Sequence, residues 1–354
     1  MRSEQALERI RASKVLSIQD YDRIQPIDRG GWAQVDAPLS DYDRAYPERL
    51  WESLGLELVL VRSDELILEI RRAEREETSE IADMWMEEAE EVTNVTREDV
   101  IRSAELYVAY KALMKRYDAD AITVSSWALI PDGRIMAMPP LAEMELAKEL
   151  VPCCCESLID CTVTQMIGTY VSGRPGFVGD VLNTWGGLVP MGTPPENLVI
   201  VGHCYGPINP HGDDRVGYVI RDHVVYNNQV GQGWMSSWRP DAQVQAARQL
   251  EREHVTLVGI TVRWPVQEVA TIAKFDVYSK RVSVCTGTTI DGRSIFEDFD
   301  DRLCRTKIAV KTEVPFRNAV GGHQVVFYGD HSARIKDLAR LAGFEVMDDG
   351  QART

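Results

Sequence analysis

The feature that most constrains this chain is a change of pattern near residue 185. Before it, Val/Ile-rich runs alternate with stretches of helical spacing; after it, short β-like runs follow one another, divided by Gly, Pro and Asp. Strands separated by helices build a parallel sheet, whereas strands joined by turns build a barrel or a sandwich. The expectation is therefore an α/β domain over 1–185, opened by an irregular leader over 1–46, and a β-rich domain over 186–354. A length of 354 residues fits about two such cores.

Within the first half, 14–18 and 56–63 read as strands, and the acidic stretch 64–94 has helical spacing through Leu68, Ile81, Trp85 and Ala89. Thr96 followed by Asp99 forms a capping-box signature, and Val100, Ala104, Val108 and Leu113 continue that helix. The next strand is expected over 118–129, followed by a turn at Pro131-Asp132-Gly133 and a helix in PLAEMELAKEL. The apolar run VPCCC then ends at Glu156, a helix fills 157–172, and Gly173 with Pro175 stops it. GFVGD brings Asp180 to the end of another strand. Two carboxylates at the carboxyl ends of adjacent strands occupy the usual ligand position of an open α/β sheet and can share one cation.

In the second half, strands are expected in NLVIVGHC, VGYVIRDHV, HVTLVGITV, RVSVCTG, TKIAVKT and HQVVFYGD, with a terminal helix over 333–343 before FEVM. No repeat of fixed period is present.

Composition narrows the class. A net charge of -16, from 55 acidic against 39 basic residues, argues against a nucleic-acid partner. No apolar run reaches the ~20 residues of a membrane span, and the first residues lack a signal-peptide core. A cytoplasmic protein is expected. Seven cysteines include the consecutive Cys153, Cys154 and Cys155, together with Cys161, Cys204, Cys285 and Cys304. Their spacing suggests neither disulfides nor a paired CxxC zinc site, so small buried thiols are the plain expectation.

Several of these segments, in this order, resemble L-fucose isomerase and its relatives. CCCES...YVSGRPGFVGD resembles a Cys-Glu pair followed by a helix, a Gly-x-Pro stop and a ligand carboxylate. NLVIVGHCYGP, RDH, CRT, GGHQVVFYGD and DLARLAGFEVMDD resemble successive later segments, so the likeness runs from about 56 to 348. One local difference is that the family continues from its Glu with Gly-Asp, where this chain has Ser157 and Leu158.

The resemblance implies a Rossmann-like domain followed by a β-barrel-like domain, a manganese ion, and a homo-oligomer. It also implies that Glu156 and Asp180 are catalytic carboxylates that bind the metal, with His323 as third ligand. The family carries a further N-terminal domain ahead of the matched part, so a separate partner chain supplying it is a further expectation. Other divalent cations suit an oxygen-and-imidazole donor set too.

The implied activity is aldose-ketose isomerisation of a monosaccharide or modified monosaccharide. A divalent cation stabilises charge on the two oxygens that exchange roles, and flanking carboxylates move the proton between neighbouring carbons. An epimerase or carbon-carbon lyase would use the same groups, and a non-catalytic sugar-binding or scaffold subunit is the reading from another class. Each residue also has a structural alternative: Glu156 as a helix cap, Asp180 as a turn aspartate, His323 as a strand histidine. His203, Trp185 and Arg305 are substrate-binding candidates, weighed against a core histidine, a core ring and an internal ion pair. Trp32, Trp127, Trp234, Trp238 and Trp264 are further rings that could stack on a sugar. His223 is a weaker candidate, and His211 and His331 are expected to be exposed.

Overall fold

The computed structural model describes residues 1–19, 41–125, 129–130, 134–155, 157–182, 196–223, 249–291, 306–316 and 322–347. In the first half the strands are β1 (Lys14–Ile18), β2 (Glu57–Val61), β3 (Glu91–Thr93), β4 (Ala121–Val124), β5 (Cys153–Cys155) and β6 (Phe177–Val181). The second half adds β7 (Leu198–His203), β8 (Tyr218–Asp222), β9 (Val258–Val262), β10 (Val269–Asp276), β11 (Arg281–Ile290), β12 (Thr306–Thr312), β13 (His323–Tyr328) and β14 (Glu345–Met347).

Three sheets result. A parallel sheet runs in the order β2-β1-β4-β5, and a small one in the order β3-β8-β9. The largest runs β10-β13-β6-β7-β12-β11 and closes on itself through β10 and β11, giving a six-stranded antiparallel barrel with β14 appended parallel to β11. The chain is thus mixed α/β with a parallel sheet and a closed barrel.

Two apolar layers enclose the parallel sheet. Leu16, Ile18, Ile122 and Val124 face the helix Arg97–Tyr117 through Leu106 and Leu113. Val15 and Ala121 belong to the opposite layer, with Val163, Met166 and Ile167 of the helix Ile159–Ser172. That second layer also takes Phe275 and Val284 from β10 and β11, so one core joins the sheet to the outside of the barrel. Helix Ile159–Ser172 fits so closely against the barrel that a Cβ on Gly168 would lie 2.0 Å from the Phe327 ring. A side chain there would force a shift of helix or strand.

The Thr96 capping box forms as expected: Asp99 accepts from the Thr96 backbone N–H at 2.9 Å, and the Asp99 N–H donates to Thr96 Oγ1 at 3.2 Å. Gly173 ends the helix Ile159–Ser172 in the left-handed conformation, φ 73°. No helix among the described residues is long and apolar enough to cross a membrane.

Two expectations change, and one strand joins those expected. The leader 1–46 is not irregular where it is described. Residues Ser3–Arg11 form a helix whose Ala6, Leu7 and Ile10 enter the shared core, and β1 is an interior strand of the parallel sheet. The run VATIAKFD is the barrel strand β10, although Lys274 is buried within it; its Nζ lies 2.8 Å from Cys161 Sγ. Lastly, β6 does not lie beside β5 in the parallel sheet. It pairs antiparallel with β13 and β7, so Asp180 belongs to the barrel wall although it precedes residue 185.

Candidate metal centre

Strand register assembles the site. Antiparallel pairing sets His323 of β13 directly opposite Asp180 of β6, and Asp180 opposite Gly202 of β7, one residue before His203. Directly opposed residues hold their side chains within a few ångströms of each other. His323 Nε2 accordingly lies 3.1 Å from Asp180 Oδ1, with both side chains largely buried. The His203 ring joins them, its centroid 6.4 Å from that of His323. One donor atom from each of Asp180, His203 and His323 lies within 4.8 Å of the other two.

Strand alternation fixes the side of the wall. Phe177 and Val181 of β6 and Val326 and Tyr328 of β13 fill the barrel interior. Val178, Val325 and Phe327 therefore face outward, packed against Cys154, Leu158 and Cys161. Asp180 and His323 share the parity of these outward residues. The pair consequently stands on the outer wall, in the seam where the barrel meets β5 and the helix that follows it.

A second group uses the other side of His203. Cys155 ends β5 and Cys204 follows β7; the thiol Sγ of Cys204 is 3.3 Å from His203 Nδ1, and that of Cys155 is 3.5 Å from Nε2. Burial alone would raise the Cys204 thiol. Hydrogen bonds with Cys155, His203 and His223, together with the charge of His203, outweigh it and hold the thiol well below the usual range. Cys153 shows the opposite balance. Its thiol donates to the Glu143 carbonyl at 3.3 Å, and burial, aided by the Glu143 charge, pushes it well up.

Ser157 carries a further mark of a constrained site. Its φ is 55°, a left-handed conformation that glycine adopts freely and serine rarely, and its N–H donates to the last carbonyl of β4, Val124, at 3.1 Å. This is the position at which the resembled family has Gly.

Of the residues expected from the sequence, Asp180 and His323 come together and His203 joins them. Glu156, Trp185 and Arg305 lie outside the described residues, as do Trp32, Trp127, Trp234 and Trp238. Trp264 is half-buried, its ring edge-on to Phe177 with centroids 4.5 Å apart and its N–H donated to the Pro207 carbonyl at 2.8 Å, so it braces the barrel. His331 is buried rather than exposed, held by the Tyr328 carbonyl at 2.8 Å. The thiol group was not foreseen: Cys155 and His203-Cys204 are 48 residues apart, and only the packing of β5 against the barrel joins them.

A carboxylate and two imidazoles form a donor set suited to manganese, iron or zinc. No family model matches the chain, and no curated protein matches it at a significant level.

Proposed function

We propose that this chain is a divalent-metal-dependent aldose-ketose isomerase of the L-fucose isomerase kind, acting on a monosaccharide or a modified one. The observation that carries this reading is the buried Asp180–His323 pair, 3.1 Å apart, at the seam beside the carboxyl end of β5. The ordered sequence resemblance supports it, and so does the left-handed backbone at Ser157 where that family has Gly. Under this reading the parallel sheet is the family's Rossmann-like unit.

Asp180 and His323 fit a divalent cation, with Glu156 as the third ligand that the resemblance implies; manganese is the expected ion. A bound cation would supply Lewis-acid stabilisation of the charge that develops on the two neighbouring substrate oxygens. The carboxylate of Asp180 takes or returns the proton moved between the two carbons, and Glu156 serves the opposite step. His323 Nε2 pairs with Asp180 Oδ1 and would turn to the ion as a ligand when one binds. His203 borders the same space and can hydrogen-bond a sugar hydroxyl, while Trp185 and Arg305 remain candidates for holding the rest of the sugar. The reading extends to a homo-oligomer, with neighbouring or partner chains enclosing the sugar. An epimerase or lyase would share these groups, and a scaffold subunit would leave the buried charge of Asp180 without a task.

The test is a panel of aldoses and ketoses incubated with the purified protein, with and without manganese, and scored for the isomeric product. Manganese-stimulated interconversion of one pair is expected. Folded, metal-loaded oligomer that converts none of the panel would overturn the isomerase reading.

A further inference from the structure

The sulfur side of the seam carries chemistry that isomerisation does not use. We propose that Cys155, His203 and Cys204 form a separate soft-metal site that takes zinc, with His223, a hydrogen-bond partner of the Cys204 thiol, as a further donor beside it. Donor atoms of the first three lie within 4.8 Å of one another. More tellingly, His203 Nδ1 is 3.3 Å from one sulfur and 3.8 Å from the other. A tetrahedral zinc with bonds of ~2.0 to 2.3 Å has donor-to-donor edges of roughly 3.5 Å, so these atoms stand near coordination spacing.

His223 provides the independent observation. It follows β8, is 94 % buried by its 6 % exposure, and reaches the Cys204 thiol as a hydrogen-bond partner. Its Nδ1 is buried with no hydrogen-bond partner among the described residues. A buried ring nitrogen without a partner is costly unless something else binds there.

Charge favours the same occupant. Two thiolates, two neutral imidazoles and one zinc ion sum to zero, which suits a group sealed from water far better than two isolated thiolates would. Soft sulfur donors also separate this site from the neighbouring carboxylate: Cys155 and Cys204 select zinc, and Asp180 with His323 suits a harder ion. The site joins β5 of the parallel sheet to β7 of the barrel and β8 of the small sheet, so zinc bound there pins all three sheets together. The loop closed is long, and the binding free energy becomes folding free energy.

Metal analysis and cobalt substitution test the site on the full chain. Protein purified with zinc present is expected to keep one zinc per chain through dialysis. Its cobalt form is expected to show sulfur-to-cobalt charge-transfer absorption. Cys204→Ser should lose about half of that absorption, since Cys155 remains as a sulfur donor, and at least ~100-fold in zinc affinity, exceeding the ~10- to 100-fold cost of losing an outer partner. Asp180→Asn should keep both. Should the serine variant fail to fold, the cobalt spectrum of the unaltered protein decides: folded protein that binds cobalt without sulfur absorption, or binds none, overturns the site. Sulfur absorption that is undiminished in folded Cys204→Ser overturns it equally. Each outcome is independent of whether any sugar is isomerised.

Discussion

Strand β13 has histidines at both of its ends, and they are held in opposite ways. Past the Tyr328 end, His211 is clamped by Asp214 Oδ2 at 2.6 Å and Glu268 Oε2 at 2.7 Å, with its ring edge-on to Tyr328. His331 is equally committed, Nε2 to the Tyr328 carbonyl and Nδ1 near the Arg334 guanidinium at 3.1 Å. Both ring nitrogens of each are used by fixed local partners. At the other end, His323 and His203 face each other across Asp180, with two thiols behind. The difference teaches that a histidine's meaning lies in where its nitrogens converge. Rings saturated by their neighbours hold the fold, and rings that meet around one point can hold an ion.

The comparison breaks most visibly at Asp180. On the proposed reading, Asp180→Asn keeps the shape but removes a ligand charge and a proton acceptor, so manganese-stimulated turnover of a responsive sugar should fall ~100- to 10,000-fold. Thermal melts should move little by comparison. Near-normal turnover would remove Asp180 from the chemistry.

His323→Gln should weaken manganese binding by more than the ~10- to 100-fold typical of an outer partner. Titration calorimetry reads this directly. The equivalent change at the far end, His211→Gln, should leave manganese affinity unaltered. Equal losses from both would dissolve the distinction between the two ends.

Stability against pH sharpens it further. Burial opposes the charge on His211, but Asp214 and Glu268 outweigh it and raise its pKa. Its contribution is therefore complete below the unfolded value of about 6.5 and fades as pH rises through the higher folded value. Solvent reaches this pair, so His211→Gln should cost about 1 kcal/mol or less at pH 6, shrinking towards pH 9. His331 slopes the other way. Burial, the largest influence, lowers its pKa, so the fold loses stability as pH falls below about 6.5. Denaturant midpoints at several pH values should show His331→Gln closest to the unaltered protein in acid. Parallel slopes for the two variants would contradict the assignment.

The smallest expected effect is at Ser157. A serine in the left-handed region costs about 1 to 2 kcal/mol, and glycine gives back about 0.5 to 1 through its freer unfolded chain. Its Oγ is also buried without a hydrogen-bond partner among the described residues. Ser157→Gly should raise stability by up to about 1 kcal/mol, readable in the same melts. A clear loss would mean the hydroxyl is used.

What the sequence discloses is what is local. The Thr96–Asp99 box, the Gly173 stop and most strands are carried by neighbours along the chain, and their residues sufficed. The helix Ser3–Arg11 was hidden because its stripe is only Ala6, Leu7 and Ile10, too short to stand out from a polar leader. Asp180 and His323 were found through ordered resemblance, but their contact depends on β6 pairing with β13, and no local pattern encodes that register. Membership of β6 in the barrel was misread for the same reason, since a strand following a helix also suits a parallel sheet. The Cys155–His203–Cys204 group needed two sheets to be packed before any of its distances existed.

Closure of the barrel also sets an order of events during synthesis. Strand β13 pairs with β6 on one side and β10 on the other, and it is the last of the six to leave the ribosome. Until it docks, the growing chain carries two open strand edges, each able to capture another chain, and long-range pairing of this kind is slow. The same docking event brings His323 to Asp180. Assembly of the Asp180–His323 pair and protection from aggregation therefore arrive together, as a single late step.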